Sequence, residues 1–271
     1  MLEFEKMLDA GVHFGHLKRK WNPKMAPYIF TEHNGMHIID LYKTAAKAEE
    51  AAAALKQIAK SGKQILFVAT KKQAKDIVAN IVKEANMPYV TERWPGGMLT
   101  NFATIRKAVK KMGSLDKLLN SKDNNAISKR ERLQIAREKA KLEKNLGSIA
   151  GLTRLPSALF VVDINKEHIA VAEAKRLNIP TFAIVDTNCN PDLIDFPIPG
   201  NDDASKSIAL IVEYMCKSIE EGMQERKLDK DAQAEAQAKD TPETDEIEEN
   251  ADKTAKRRPR KAVSKKNADN E

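Results

Sequence analysis

Apolar residues are distributed along this chain in three distinct ways. "KQILFVAT" (Lys63–Thr70), "SALFVVD" (Ser157–Asp163) and "IPTFAIVDT" (Ile179–Thr187) are short continuous apolar runs, the pattern of strands buried on both faces of a parallel sheet. "MPYVTERW" supplies a further strand, and "MHIIDL" is a short apolar segment. Helical stretches lie between them. Thr44 to Lys60 is alanine-rich, Thr70 and Gln73 make a capping-box pattern that starts a helix reaching about Asn86, and "KEHIAVAEAKRLN" fills the gap between the last two strands. Strands alternating with helices predict an α/β fold built on a parallel sheet with right-handed crossovers.

Two regions break the alternation. In residues 101–149 Phe102, Ile105, Val109 and Met112 step by three, four and three, and Ile135, Leu142, Leu146 and Ile149 by seven, four and three, the seam of a coiled coil. "SKDNNAIS" is a polar link, and Ser128 with Glu131 makes a capping box, so an inserted helical hairpin is expected. Most of its lysines and arginines read as the solvated outside of a two-helix arm. Residues 224–271 hold almost no large apolar side chains and segregate an acidic block from a basic one, which predicts disorder in isolation. The basic run "KRRPRKAVSKK" suits either phosphate contact or solubility. The expected organisation is a discontinuous sheet domain (1–100 and 150–223), the hairpin (101–149) and the tail (224–271).

Charge narrows the partner class. The chain has 271 residues and a net charge of +7, which suits an anionic partner without distinguishing nucleic acid from a membrane surface. No apolar run has the length of a membrane span, and the acidic start "MLEFEKMLDA" is unlike a signal peptide. The two cysteines, Cys189 and Cys216, have neither CxxC nor disulfide-framework spacing, which fits a reducing cytoplasm.

Candidate chemistry concentrates in "GVHFGHLKRKWNPKMAPYIF". His13 and His16 are too few for a zinc site, and no nucleophile or carboxylate dyad accompanies them; one ring is expected beside Phe14 and the other in a hydrogen bond near the surface. Lys18, Arg19, Lys20, Trp21, Asn22 and Lys24 interleave cations with a flat ring and a proline-stiffened turn, a pattern suited to phosphates and unpaired bases. In "ERWPGGMLTNF", Gly96 and Gly97 precede a helix start. That segment serves equally as a tight turn or as a phosphate cradle, and Arg93, Trp94 and Asn101 incline it towards RNA. On the hairpin, Arg106, Lys107, Lys110 and Lys111 form a basic face. "TKKQAK" after the first long apolar run lacks the glycines of a dinucleotide site, and no P-loop occurs. Asp186, Asp192, Asp195, Asp202 and Asp203 read as turn and helix-start chemistry, magnesium coordination being the competing use.

The segments "AGVHFGHLKRKWNPKMAPYIF", "NGMHIIDL", "ILFVATKKQA", "RWPGGMLTNF", "LPSALFVVD", "IPTFAIVDTN" and "PIPGNDDA", in this order and over Leu8 to Met223, resemble the bacterial small-subunit ribosomal protein S-two family. The resemblance implies a flavodoxin-like (Rossmann-like) sheet flanked by helices, with an inserted coiled-coil hairpin. It implies a structural, non-catalytic part of the cytoplasmic small ribosomal subunit. Its partners would be small-subunit ribosomal RNA and neighbouring ribosomal proteins, ribosomal protein S-one among them, with no cofactor, DNA or membrane. The competing function is an enzyme or binding protein for a phosphorylated small molecule at the glycine loop.

Overall fold

A computed structural model describes residues 2–120 and 128–239, with side chains as far as Lys230. The polar link at 121–127 and the segment beyond Lys239 lie outside the described residues. Met1–Asp229 form one compact unit.

After a short helix α1 (Phe4–Asp9), the basic N-terminal segment builds a small antiparallel sheet from β1 (Phe14–Leu17), β2 (Ile29–His33) and β3 (Met36–Ile39), in the order β1-β3-β2. The turn joining β2 to β3 is Asn34-Gly35, both with positive φ (48° and 74°), the backbone that a two-residue hairpin requires. Two 3-10 turns, Lys18–Lys20 and Pro23–Tyr28, span the interval between β1 and β2.

The main sheet contains β4 (Ile65–Val68), β5 (Tyr89–Val90), β6 (Ala158–Val162), β7 (Thr181–Val185) and β8 (Phe196–Pro199). Every pairing is parallel and the order is β5-β4-β6-β7-β8. Within the sheet this is 2-1-3-4-5, the flavodoxin-like order. All residues of β4, β6 and β7 are buried, as their continuous apolar runs require. Alternation along the strands divides the core in two. Ile65, Phe67, Phe160, Phe182 and Ile184 face helices α2 (Leu41–Lys60), α3 (Lys75–Glu84) and α7 (Ser205–Lys239). Leu66, Val68, Leu159, Val161 and Ala183 face α6 (His168–Arg176) together with Trp94, Met98 and Leu99. β8 was not anticipated; its Pro197 and Pro199 are tolerated at a sheet edge, where the outward N–H has no strand partner.

The hairpin helices are α4 (Phe102–Asn120) and α5 (Lys129–Leu146), which pack on each other and add Lys111–Glu138 and Lys139–Asp116 ion pairs. The Ser128–Glu131 capping box is formed, with both reciprocal bonds at 3.3 Å. Phe102, Ile105, Val109, Met112, Ile135 and Leu142 are half-buried, whereas Leu146 and Ile149 are fully inside the second core cluster. The root of the arm is therefore part of the sheet domain's core.

Two expectations need correction. The capping box at Thr70 and Gln73 does not form: the Thr70 N–H and hydroxyl both donate to the buried carboxylate of Glu167, and α3 starts at Lys75. The tail does not begin at residue 224, because α7 continues as helix to Lys239. Alanine, lysine, glutamate and glutamine dominate that stretch, and they favour helix without needing a buried face.

Candidate nucleic-acid interface

The basic N-terminal segment is fixed to the carboxyl ends of the main strands. Asn22 N–H donates to the Thr187 carbonyl (2.8 Å), His16 N–H to Thr187 Oγ1 (2.8 Å), and Asn201 N–H to the Val12 carbonyl (3.1 Å). Asn22 Oδ1 accepts from Lys24 N–H (3.0 Å), capping the turn at Pro23. On this scaffold Lys18, Arg19, Lys20 and Lys24 are exposed. Lys18 pairs with Glu32 (2.7 Å) and Lys24 with Asp192, while Arg19 and Lys20 make no ion pair among the described residues. Trp21 is 37% exposed, its ring 5.2 Å from that of His37. Its outward part remains available for stacking.

The histidines behave as separate groups. His13 lies with its ring 4.0 Å from Phe14, and burial lowers its pKa. His16 Nδ1 is 2.9 Å from Asp186 and Nε2 is 3.4 Å from Asp203; the bond to Asp186, aided by the surrounding carboxylates, raises its pKa.

A cluster assembles around His16 that could be found in sequence only by reading the residue after each buried strand. Asp163 follows β6, Asp186 follows β7, and Asp202 and Asp203 come shortly after β8; Lys71 follows β4. The Lys71 ammonium lies 2.8 Å from Asp202, 2.6 Å from Asp203 and 3.5 Å from Asp163. Burial opposes its charge, but these carboxylates overcome that and raise its pKa. Asp202 is fully buried and one of its oxygens has no hydrogen-bond partner among the described residues; burial and the neighbouring Asp186 and Asp163 push its carboxyl up to about 7. Ligand-type atoms of His16, Asp186 and Asp202, and likewise of Asp163, Cys189 and Asp202, lie within 4.8 Å of one another, so among the described residues these could hold a metal ion. Lys71 would compete for the same oxygens. Burial pushes the Cys189 thiol up to about 12, which keeps it protonated at neutral pH. Asp192 and Asp195 take no part: one pairs with Lys24, and the other accepts from Thr181 N–H (2.9 Å) and hydroxyl (2.8 Å).

The glycine loop is filled from inside. Glu173 of α6, 8% exposed, accepts at Oε1 from Trp94 Nε1 (3.2 Å) and Gly97 N–H (2.7 Å). At Oε2 it accepts from Leu99 N–H (2.9 Å), Thr100 N–H (3.1 Å) and Thr100 Oγ1 (3.2 Å). Burial would raise this carboxyl, yet the amides of Thr100, Gly97 and Leu99 outweigh it and hold the pKa below the usual range. Gly97 has φ +85°. A phosphate cradled here would have to displace a buried carboxylate from five donors. That removes the site on which a phosphorylated small-molecule ligand depended. Trp94 is correspondingly only 7% exposed, so the ring expected to stack on a base is packed in the core instead. Glu173 was missed although its spacing from Ala170, Val171 and Ala174 puts a carboxylate on the buried stripe of α6.

Arg93 and Gly96 are exposed, the former without an ion pair among the described residues. Asn101 is exposed and caps locally, accepting from the Thr104 hydroxyl (2.8 Å). On α4, Lys107 and Lys110 are exposed without ion pairs among the described residues, Lys111 is held by Glu138, and Arg106 donates to the Thr153 carbonyl. The predicted residues therefore fall into an N-terminal group, a hairpin group and the glycine loop, where Arg93, Trp94 and Gly96 line a cavity of about 320 Å³ with the apolar side chains of Ile105, Leu142 and Leu146.

Residues 7–222 match the family model described as Ribosomal protein S2. The chain is 68% identical over 227 residues to the small ribosomal subunit protein uS2 of Phocaeicola vulgatus, covering 84% of this chain and 81% of that protein. It is 66% identical to the protein of the same name from Bacteroides thetaiotaomicron, covering 84% and 82%, and 63% identical over 237 residues to that of Flavobacterium johnsoniae, covering 88% and 93%. With a matching model over most of its length, a flavodoxin-like sheet bearing a helical insertion and cations on two surfaces tied to that sheet, the chain belongs to the ribosomal protein S2 family.

Proposed function

We propose that this protein is a structural, non-catalytic component of the small ribosomal subunit that binds small-subunit ribosomal RNA and neighbouring ribosomal proteins, ribosomal protein S-one among them. The observation that carries the reading is family membership over most of the chain, with close relatives named as small ribosomal subunit proteins. The surface chemistry agrees with it. Arg19, Lys20, Arg93, Lys107 and Lys110 are exposed and without ion pairs among the described residues, so each can meet a phosphate without first breaking a pair. Trp21 supplies a partly open ring beside the first group. Binding of this kind follows RNA shape and backbone charge rather than base sequence. In this reading residues 101–149 are a coiled-coil arm directed at RNA, inserted in a discontinuous sheet domain (1–100 and 150–223). The protein works bound to the ribosome in the cytoplasm; no helix among the described residues is long and apolar enough to cross a membrane.

Sedimentation with small subunits depleted of this protein tests the proposal. The full chain is expected to co-sediment, and replacing Lys107 and Lys110, the unpaired cations of the arm's basic face among the described residues, by glutamate is expected to weaken this with little change in thermal stability. A chain that stays at the top of the gradient while turning over a phosphorylated small molecule would restore the enzyme reading.

A further inference from the structure

We infer that Glu173 is the positioning residue of the RNA-directed arm: from α6 of the sheet domain, its carboxylate holds Trp94 and the amides of Gly97, Leu99 and Thr100, and so fixes the direction in which α4 leaves the sheet. The inference rests on the reading that the arm's basic face meets RNA.

The connection is short. Thr100 is two residues before the first residue of α4, Asn101 N–H donates to the Gly97 carbonyl (2.8 Å), and the Thr104 hydroxyl donates to Asn101 Oδ1 (2.8 Å). The five donors on Glu173 thus pass directly into the helix start. The returning helix is held by Leu146 and Ile149 in the core and by the Ser148 hydroxyl on the Tyr89 carbonyl. Both roots pack into the core, the α4 side through Met98 and Leu99, and the α4 root carries in addition the buried carboxylate that ties its backbone amides to α6.

Leverage makes the second fastening matter. The 19 residues of α4 span about 28 Å at 1.5 Å per residue. A swing of about 10° at the root moves the far end by about 5 Å, more than the range over which a charged hydrogen bond to phosphate survives. Arg106, Lys107, Lys110 and Lys111 lie about 6–14 Å along this lever, so the same swing displaces them by about 1–2.5 Å, enough to spoil a charged hydrogen bond.

Glutamine at position 173 cannot replace the carboxylate. Its amide nitrogen would face either Trp94 Nε1 and Gly97 N–H or the Leu99 and Thr100 donors, so one half of the latch meets donors with a donor in both orientations. Glu173→Gln is therefore expected to populate loop conformations in which α4 points elsewhere, while both helices remain.

The experiment uses the full chain and small subunits depleted of it. In Glu173→Gln the Trp94 indole N–H resonance should shift, far-UV circular dichroism should be kept, and apparent affinity should fall about tenfold. The slope of log affinity against log salt, between about 50 and 200 mM, should not change, because the molecules that bind do so through the same phosphates while fewer are competent. Undiminished affinity with the indole signal displaced overturns the inference. So does a shallower slope, which means that contacts themselves were lost. If Glu173→Gln does not fold, Thr100→Val decides. It removes only one hydroxyl bond of an exposed residue and is expected to weaken binding about threefold at unchanged slope; full affinity overturns the inference. Glutamate replacements on the arm's basic face separate the two levels. If they bind normally, the RNA reading of the arm fails. If they bind poorly while Glu173→Gln binds normally, only the positioning role fails.

Discussion

Gly222→Ala opposes two physical effects of known sign. Gly222 lies inside α7, where it packs on α2, and propensity alone says that alanine should stabilise a helix interior by about 1 kcal/mol. A Cβ at this position would stand 2.4 Å from the Lys56 carbonyl oxygen, 3.2 Å from its carbon and 3.3 Å from Ala59 Cβ. The first two atoms are α2 backbone, so no rotamer change relieves the contact, and the helices must separate by about 1 Å to reach an ordinary van der Waals distance. That separation opens the packing among Leu55, Ala59, Met215 and Ile219, all at most 1% exposed. Overpacking of this kind costs about 1–3 kcal/mol, occasionally more. Ion pairs of Lys56 and Lys60 with Glu221, Glu225 and Asp229 resist the separation, but at an exposed surface they contribute little. A 2.4 Å approach to backbone belongs at the upper end of that range, about 2–3 kcal/mol, so the steric effect wins and the expected net loss is about 1–2 kcal/mol. For a unit of this size the midpoint temperature falls by about 3–6 °C. Urea unfolding followed by circular dichroism measures it as a lower midpoint at unchanged m-value. A stability gain of about 1 kcal/mol would refute the reasoning, since it would mean that the helix contact yields freely and propensity decides.

Neutralising Arg19 and Lys20 to glutamine should leave the melt unchanged and reduce the salt slope of subunit binding by about 1.4 to 1.8; the same slope as the wild type would show that neither side chain meets a phosphate. Gly97→Val should lower stability by at least about 1–2 kcal/mol, because φ +85° is left-handed backbone and its N–H is bound to Glu173. A normal thermal melt would contradict that. The depressed pKa of Glu173 has a defined pH signature: its carboxylate stabilises the fold above the unfolded value of about 4.3 and loses that contribution as pH falls through the lower folded value. The stability gap between wild type and Glu173→Gln should therefore be widest near neutrality and narrow in acid, and urea curves giving one constant gap from pH 7 down to pH 3.5 would count against it.

The α/β architecture, the strands at Ile65–Val68, Ala158–Val162 and Thr181–Val185, and the hairpin helices were legible in the chain because their signals are local. A continuous apolar run with no polar face has to lie between two layers, and a seam at three- and four-residue steps has to lie along one helix face. The exposed cations of the N-terminal segment and of α4 were legible for the same reason, since long charged side chains stay at the surface unless something pays for their burial. Asn34-Gly35 carried an equally local hairpin signal that was passed over among the basic residues around it. What pairs with what was not local. Thr70 looked like a helix cap until a carboxylate 97 residues away took both of its donors. His16 looked half of a histidine pair, yet its partners are Asp186 and Asp203, brought to it by the strand order. Trp94 and the glycine loop suited a nucleic acid by composition, and the tertiary structure turned them inward onto Glu173. Composition and periodicity determined which residues are apolar, charged or helical; only the folded chain decided which polar groups satisfy one another, because a buried donor binds whichever acceptor the packing brings within about 3 Å, whatever its distance in sequence.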